Sequence, residues 1–212
     1  KPLSHRDLDD APGASHLVFS EVAPRGFGVG AGSDSSEYIE IFNRGDRSVD
    51  LTGFAFTDGI EFAFAPGTAI DAGAYLVIAR DPEWIRAEHG IAAVLGPYVG
   101  RLDDDGERIE LSDPLGNLAD EVLYRDGDPW PRWADGLGSS LELRDPRADN
   151  ASALAWDASD ESRRSEWRTF TFAGEFPGGD PEFHLCLLGP GECLVDDIRI
   201  DPTIYYQPTP VE

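Results

Sequence analysis

The sequence predicts an all-β protein, and three observations support this fold class. Hydrophobic residues make up 41% of the 212-residue chain, and 23 Gly and 16 Pro provide for many turns. Apolar and polar side chains alternate through residues 38–42 and again through 49–57, as they do along half-buried strands. Residues 43–46 between them have the composition of a turn, so the sequence predicts a β-hairpin here.

Short apolar runs bounded by turn residues predict the neighbouring strands. Residues 17–22 form the first of these runs. In the second arm of the hairpin the apolar face changes sides at Gly53, which indicates a bulge or a bend. Residues 74–79 are almost wholly apolar, which predicts an interior strand that is covered on both faces.

One short helix is predicted after this apolar strand. Asp81 is a favoured N-cap residue, and Pro82 and Glu83 suit the first turn of a helix. Gly90 is a favoured residue at a helix end. The sequence therefore predicts a helix of about two turns between Asp81 and Gly90.

Three more strands complete the first β domain, at 107–112, 117–124 and 139–143. Three later strands, which begin at Trp167, Phe183 and Glu192, are too few to close a sandwich by themselves. The predicted organisation is an N-terminal arm or linker at 1–15, a β domain at 16–146, a connector at 147–165, a small three-stranded β unit at 166–201 and an extended tail at 202–212.

The chain is strongly acidic, since 41 Asp and Glu against 17 Lys and Arg give a formal net charge of −24. This charge repels polyanions and argues against a nucleic-acid partner. No apolar run approaches the length that spans a bilayer, so we expect no membrane insertion. The sequence begins with Lys1 and has no signal peptide, which predicts a mature form or an excised piece.

Six segments, taken in order, resemble the lamin tail domain family. They are EYIEIFNRGDRSVDLTGF at 37–54, FAFAPGTAIDAGAYLVIARDP at 62–82, LGPYVG at 95–100, GERIEL at 106–111, DPLGNLADEV at 113–122 and GSSLEL at 138–143. The resemblance covers about residues 16–146 and implies an immunoglobulin-like β-sandwich. The expected fold is thus an all-β, lamin-tail-type sandwich with one short helix, followed by the small three-stranded β unit.

The resemblance also implies a setting for the chain. Lamin tail domains recur in large secreted or surface-attached bacterial proteins, so an extracellular or cell-surface location is expected. Residues 166–201 are similar to the segment that follows such domains there and to the opening of a jelly-roll module. The family is associated with binding and structural roles and not with one activity.

Two cysteines, Cys186 and Cys193, flank a Gly-Pro pair at 189–190. If this pair forms a two-residue turn, the cysteines oppose each other on adjacent strands, which is close enough for a disulfide. An extracellular location favours the disulfide, and the alternative is a pair of buried thiols in a reduced protein.

Clustered aspartates are the candidate cation ligands. Asp103, Asp104 and Asp105 lie in a DDDG turn, and Asp196 and Asp197 are adjacent in the second β unit. Carboxylates are suitable Ca²⁺ ligands, but no Asp, Asn and Gly spacing here matches a complete calcium loop. Ca²⁺ is therefore a candidate cofactor, and solvation of an acidic surface is the alternative.

Trp130 and Trp133 lie in an acidic loop at 125–136. Exposed tryptophans beside carboxylates can bind a sugar ring, which makes these two residues carbohydrate candidates. The alternative is that they fill the open end of the sandwich. Exposure of both rings in one plane distinguishes the first interpretation from the second.

The sequence favours a non-catalytic module over an enzyme. Its four histidines fall in unrelated segments, and no nucleophile or zinc motif is present. We therefore predict an extracellular structural or adhesive module that binds protein partners or copies of itself in a surface structure or filament. The alternatives are a module that binds surface glycans and a calcium-dependent adhesion domain.

Overall fold

The computed structural model of the chain describes residues 16–24, 33–135, 138–160, 168–171, 174 and 195–199. These residues contain one α-helix, α1 (Pro82–His89), and twelve β-strands. The strands are β1 (Leu17–Ala23), β2 (Tyr38–Asn43), β3 (Val49–Asp50), β4 (Ala55–Asp58), β5 (Phe62–Ala63), β6 (Ala69–Ile70), β7 (Tyr75–Ala79), β8 (Val94–Leu95), β9 (Arg108–Ser112), β10 (Leu118–Leu123), β11 (Leu141–Leu143) and β12 (Trp156–Ala158). In this part of the chain, no helix has the length and apolar character needed to cross a membrane.

The strands form two main sheets and one small one. The larger sheet has the order β12-β11-β1-β2-β7-β8, and the smaller main sheet has the order β10-β9-β4-β5. A two-stranded sheet joins β3 and β6. Neighbouring strands are antiparallel except for β7 and β8, which are parallel.

A continuous apolar core joins the two main sheets. Phe19 and Ile41 of the larger sheet belong to the same buried cluster as Phe56 and Leu111 of the smaller one. The rings of Phe19 and Phe56 stack with their centroids 5.9 Å apart. This face-to-face packing confirms the predicted immunoglobulin-like β-sandwich.

Both faces of β7 are covered, as its apolar sequence predicted. Leu76 and Ile78 belong to the main core, whereas Val77 on the other face belongs to a second cluster with Ile85 of α1 and Val94 of β8. A strand with no polar face needs two apolar layers to cover it. The helix therefore lies on the outer face of the larger sheet.

The ends of α1 follow the sequence signals. The Asp81 carboxylate accepts a hydrogen bond of 3.0 Å from the Trp84 amide, and Pro82 occupies the first helical position. Gly90 adopts the left-handed conformation with φ 67°, and its amide donates to the Arg86 carbonyl. The predicted start and end of the helix are both confirmed.

The predicted hairpin between 38–42 and 49–57 is wrong. Strand β2 pairs with β1 and β7, while β3 pairs with β6 and β4 joins the other main sheet. The buried Asn43 side-chain amide donates to the carbonyls of Arg47, Ile70 and Asp71, so it joins the end of β2 to the segment at β6. Alternation identified the strands but not their partners. The bend at Gly53 is present, with φ 79°.

The larger sheet continues into the predicted connector at 147–165. Strand β12 pairs with β11, with Trp156 opposite Leu143 and Ala158 opposite Leu141. Trp156 is buried, and its indole N–H donates to the Asn150 carbonyl at 2.8 Å. The sandwich therefore extends to at least Ala158, beyond the boundary predicted at residue 146.

Candidate functional site

The DDDG turn is built from hydrogen bonds within the fold. An Asp103 carboxylate oxygen accepts from the Asp105 amide at 2.9 Å, and the Glu107 carboxylate accepts from the Asp103 amide at 2.7 Å. The Tyr124 hydroxyl donates to the Asp103 carbonyl at 2.7 Å. These bonds give Asp103 a role in shaping the turn and joining it to β10.

Gly106 completes this turn because no side chain fits there. It has φ 108°, and a Cβ atom at this position would lie 2.4 Å from the Tyr124 carbonyl oxygen. The backbone of the turn therefore lies directly against the backbone at the end of β10. A glycine is required at this position, because any side chain would collide with that backbone.

The remaining candidate ligand and disulfide residues fall in the range predicted as a second β unit, where the described residues 168–171, 174 and 195–199 are in no strand. Asp196 and Asp197 are exposed, and the Asp197 amide donates to the Asp196 carboxylate at 2.8 Å. Cys186 and Cys193 lie outside the described residues, so the disulfide stays a prediction. Among the residues described, no group of three or more His, Cys, Asp or Glu side chains is arranged to hold a metal ion.

The two loop tryptophans have different environments. Trp130 is only 7% exposed and packs against Trp156, with the ring centroids 6.0 Å apart. Trp133 is 50% exposed. Trp130 therefore fills the end of the sandwich, and the two rings do not form a shared platform for a sugar. Of these two tryptophans, only Trp133 has an accessible aromatic surface.

Glu37 is a buried carboxylate that the sequence did not single out. It is 2% exposed, and one of its oxygens accepts from the Tyr98 hydroxyl and the Leu102 amide, both at 3.1 Å. The other oxygen forms a 3.0 Å ion pair with Arg80. Burial, followed by the charge of Glu37, raises the pKa of the Tyr98 hydroxyl well above its usual range. This group joins β2, the end of β7 and the loop after β8.

Three glutamates lie side by side across the larger sheet. Glu21 of β1 is opposite both Glu142 of β11 and Glu40 of β2. Loss of water around Glu40 raises its pKa to about 7, and the charges of Glu21 and Glu142 act in the same direction. Ser20 opposes the shift, because its hydroxyl donates to the Glu40 carboxylate at 2.8 Å.

Hydroxyl groups also surround the central member of this row. Glu21 accepts hydrogen bonds from the Tyr38 and Ser140 hydroxyls. Burial and the neighbouring Glu21 charge raise the pKa of Tyr38 well above its usual range, so Tyr38 remains a donor. The row therefore places carboxylates on three neighbouring strands, and neutral hydroxyl groups donate hydrogen bonds to two of them.

An open cleft of about 580 Å³ lies beside the start of α1 and is lined in part by Arg80, Arg86, Pro82 and Pro97. Its arginines also serve the fold, because Arg80 pairs with Glu37 and the Arg86 guanidinium donates to the Val94 carbonyl. The lining also contains the carboxylates of Asp81 and Glu83, so it is not basic overall. Its arginines brace neighbouring segments of the fold.

The most complete polar arrangement joins the two main sheets. An Asp120 carboxylate oxygen on β10 accepts from the Phe19 amide of β1 and from the Asn150 side-chain amide, both at 2.7 Å. Loss of water raises the Asp120 pKa to about 7, although both hydrogen bonds and the positive Arg44 favour the ionised form. We call this arrangement the Asp120 bridge. Its only signal in the sequence is an acid within a strand.

The two packed sheets and their polar contacts define the class of protein. It is an immunoglobulin-like β-sandwich whose polar residues brace its own strands. Every buried side-chain nitrogen or oxygen in the described residues has a hydrogen-bond partner. The chain belongs to the lamin tail domain family, because the family model described as Lamin Tail Domain matches residues 10–126, more than half of the chain. No curated protein gives a significant match.

Family membership sets a coarse functional expectation. Lamin tail domains are immunoglobulin-like modules that generally take part in protein–protein interactions and are not typically enzymes. The matched range contains β1 to β10 and ends at Asp126, before Trp130 and Trp133. The strands β11 and β12 therefore extend the sandwich beyond the matched range.

Proposed function

We propose that this chain is a non-catalytic extracellular module that attaches protein partners, or copies of itself, within a surface structure. Its membership of a family of interaction modules is the observation that carries the proposal. The chemistry of the described sandwich supports it, because Glu37, Asn43 and Asp120 are each bound to neighbouring segments. Their role is to hold a rigid scaffold that presents its surface to a partner.

The edges of the larger sheet offer a route for attachment. Within the described sandwich, β8 and β12 end the order of this sheet, and each has one neighbouring strand. Edge strands present backbone groups that a strand from another chain can pair with. Both strands are short, which suits addition of a short extended segment rather than a long continuous sheet.

Assembly is tested by light scattering over a range of protein concentrations, with negative-stain microscopy, in calcium and then in chelator. We expect a mass that rises with concentration, because self-association is one form of the proposed attachment. A monomer under all conditions would remove self-assembly and leave attachment to a different protein. Assembly that is present in calcium and lost in chelator would support the alternative of a calcium-dependent adhesion domain.

A glycan-binding module is the second candidate, and the half-exposed Trp133 is the observation that favours it. An aromatic face of this kind can stack on a sugar ring. Binding to a glycan array that Trp133→Ala abolishes and Trp84→Ala preserves would support this function. Because Trp130 is buried, a two-tryptophan platform is not part of this proposal.

A further inference from the structure

The Asp120 bridge forms where two strand irregularities face each other. The pairing of β1 with β2 shifts register between Phe19 and Glu21, and the pairing of β10 with β9 shifts between Leu118 and Asp120. Such bulges redirect backbone and side-chain groups. Here they bring the Phe19 amide and the Asp120 carboxylate within 2.7 Å of each other. The Asp120 carboxylate thus takes the place of a backbone carbonyl as the hydrogen-bond acceptor for the Phe19 amide of β1.

The same carboxylate holds the segment that follows β11, which we call the 144–158 arm. Asn150 of the arm donates to Asp120 at 2.7 Å, and the Asn150 carbonyl accepts from the Trp156 indole N–H at 2.8 Å. Arg44 adds a weaker contact of 3.4 Å to the Pro146 carbonyl. A short series of hydrogen bonds therefore leads from β1 through Asp120 to β12.

The charged groups around Asp120 determine how it responds to pH. Arg44, after β2, is the positive group that stabilises the ionised form. On β10 and β9 the neighbouring carboxylates, Glu121 and Glu110, lie in a separate group around Arg108.

On β1, Glu21 is bound to hydroxyl groups of Tyr38 and Ser140. None of the charged residues of the arm is buried; they are Arg144, Asp145, Arg147, Asp149 and Asp157, and Arg144 pairs with Asp157. The negative charge of ionised Asp120 is only partly offset by Arg44, and holding it away from water costs free energy. Opening of the arm would return this charge to water.

We propose that the Asp120 bridge is a pH-responsive contact, which holds the 144–158 arm in place more strongly at acidic pH than at alkaline pH. A protonated Asp120 keeps a carbonyl oxygen that accepts from Phe19 and Asn150, and it avoids the cost of a desolvated charge. An ionised Asp120 gains stronger hydrogen bonds but carries that cost. Because the closed arm favours the protonated form, linkage requires that a rise in pH favours the open arm. This proposal is independent of the proposed function.

Exchange of the Trp156 indole N–H with solvent, followed by NMR on the whole chain, tests the proposal. After correction for intrinsic exchange, we expect its protection to be at least tenfold lower at about pH 8 than at about pH 5.5. The backbone amide of Ile41, in the core of β2, separates opening of the arm from global unfolding. Local opening requires Trp156 to exchange faster than Ile41.

Two variants make the test specific. Asp120→Asn keeps an acceptor without a titrating group, so its Trp156 protection should change less than twofold over the same range. Glu121→Gln, at the next position of β10, is the matched control and should retain the response of the unmodified chain. Equal pH responses in the unmodified chain and Asp120→Asn would overturn the proposal.

A direct titration keeps the proposal testable if Asp120→Asn does not fold. The carboxyl carbon of Asp120 is followed by NMR in the unmodified chain as pH changes. A midpoint well above that of a solvated aspartate, which is about 4, is expected. A midpoint near 4 would overturn the proposal, because the closed arm would then have no preference for the protonated form.

Discussion

Glu37 shows how one carboxylate can support several segments of this fold. Replacing it with alanine would leave the Tyr98 hydroxyl, the Leu102 amide and Arg80 without this partner. We expect Glu37→Ala to lower the free energy of unfolding by about 3 kcal/mol, as removal of one member of a buried charged pair usually does. Urea denaturation measures this change.

Glu61→Ala is the matched control, because Glu61 is exposed. It should change the free energy of unfolding by less than about 0.5 kcal/mol. If the two variants lose similar stability, the contacts of Glu37 contribute little, and its burial does not serve to hold these segments together.

The sequence could not identify Glu37 or Asp120 as special. Among 41 acidic residues, nothing local marks the two that accept hydrogen bonds from distant segments. Glu37 meets Leu102, and Asp120 meets Phe19, only after the strands have folded together. Trp130 was predictable as one of two alternatives, because an aromatic ring suits both a sugar and the end of a sandwich. Only packing against Trp156 decides between them.

At the scale of elements, two glycines provide a matched comparison: Gly106 in the turn before β9 and Gly116 in the turn between β9 and β10. Gly106 has φ 108° and no room for a Cβ atom, whereas Gly116 has φ 80°, and a Cβ atom there would meet no other part of the fold within 4 Å. We expect Gly106→Ala to cost more than about 2 kcal/mol of unfolding free energy, because it combines backbone strain with a clash. Gly116→Ala should cost about 1 kcal/mol, from the left-handed conformation alone.

Urea denaturation of both variants checks this prediction, with circular dichroism to confirm the folded state. The difference between them isolates the contact of Gly106 with the end of β10. Equal losses would mean that the turn can move away from Tyr124, contrary to the close approach described for it.

Elements with strong local signals were predicted best. The α1 helix has its cap residues at both ends, and β7 has apolar residues on both faces, so type and position followed from the sequence. The failed hairpin had equally good alternation. Its error concerned pairing, since β2 pairs with β7 and β3 pairs with β6, and both partners lie farther along the chain. Period-two patterning does not carry that information.

At the scale of the whole molecule, partly buried acids and net charge act together. The pKa values of Glu40 and Asp120 are both raised to about 7 in the folded chain, mainly by loss of water. Folding therefore takes up protons between about pH 4 and pH 7, and stability falls as the pH rises through this interval. Each group contributes at most about 1.4 kcal/mol per pH unit. The net charge of −24 acts in the same direction through self-repulsion.

We therefore expect a higher Tm at about pH 5.5 than at about pH 8, measured by differential scanning calorimetry. Glu40→Gln should reduce the difference, whereas Glu61→Gln should leave it nearly unchanged. Added salt should weaken only the part due to net charge. A higher Tm at the alkaline pH would show that other groups dominate the pH dependence.

The order of strands in the larger sheet has a mechanical consequence. Strands β1 and β12 run in the same direction on either side of β11, so Leu17 and Ala158 lie at opposite ends of the sheet. Tension applied through the chain on either side would pull β1 and β12 along their own axes in opposite senses. Their hydrogen bonds to β11 would then be loaded together in shear rather than opened one after another, and that geometry resists force.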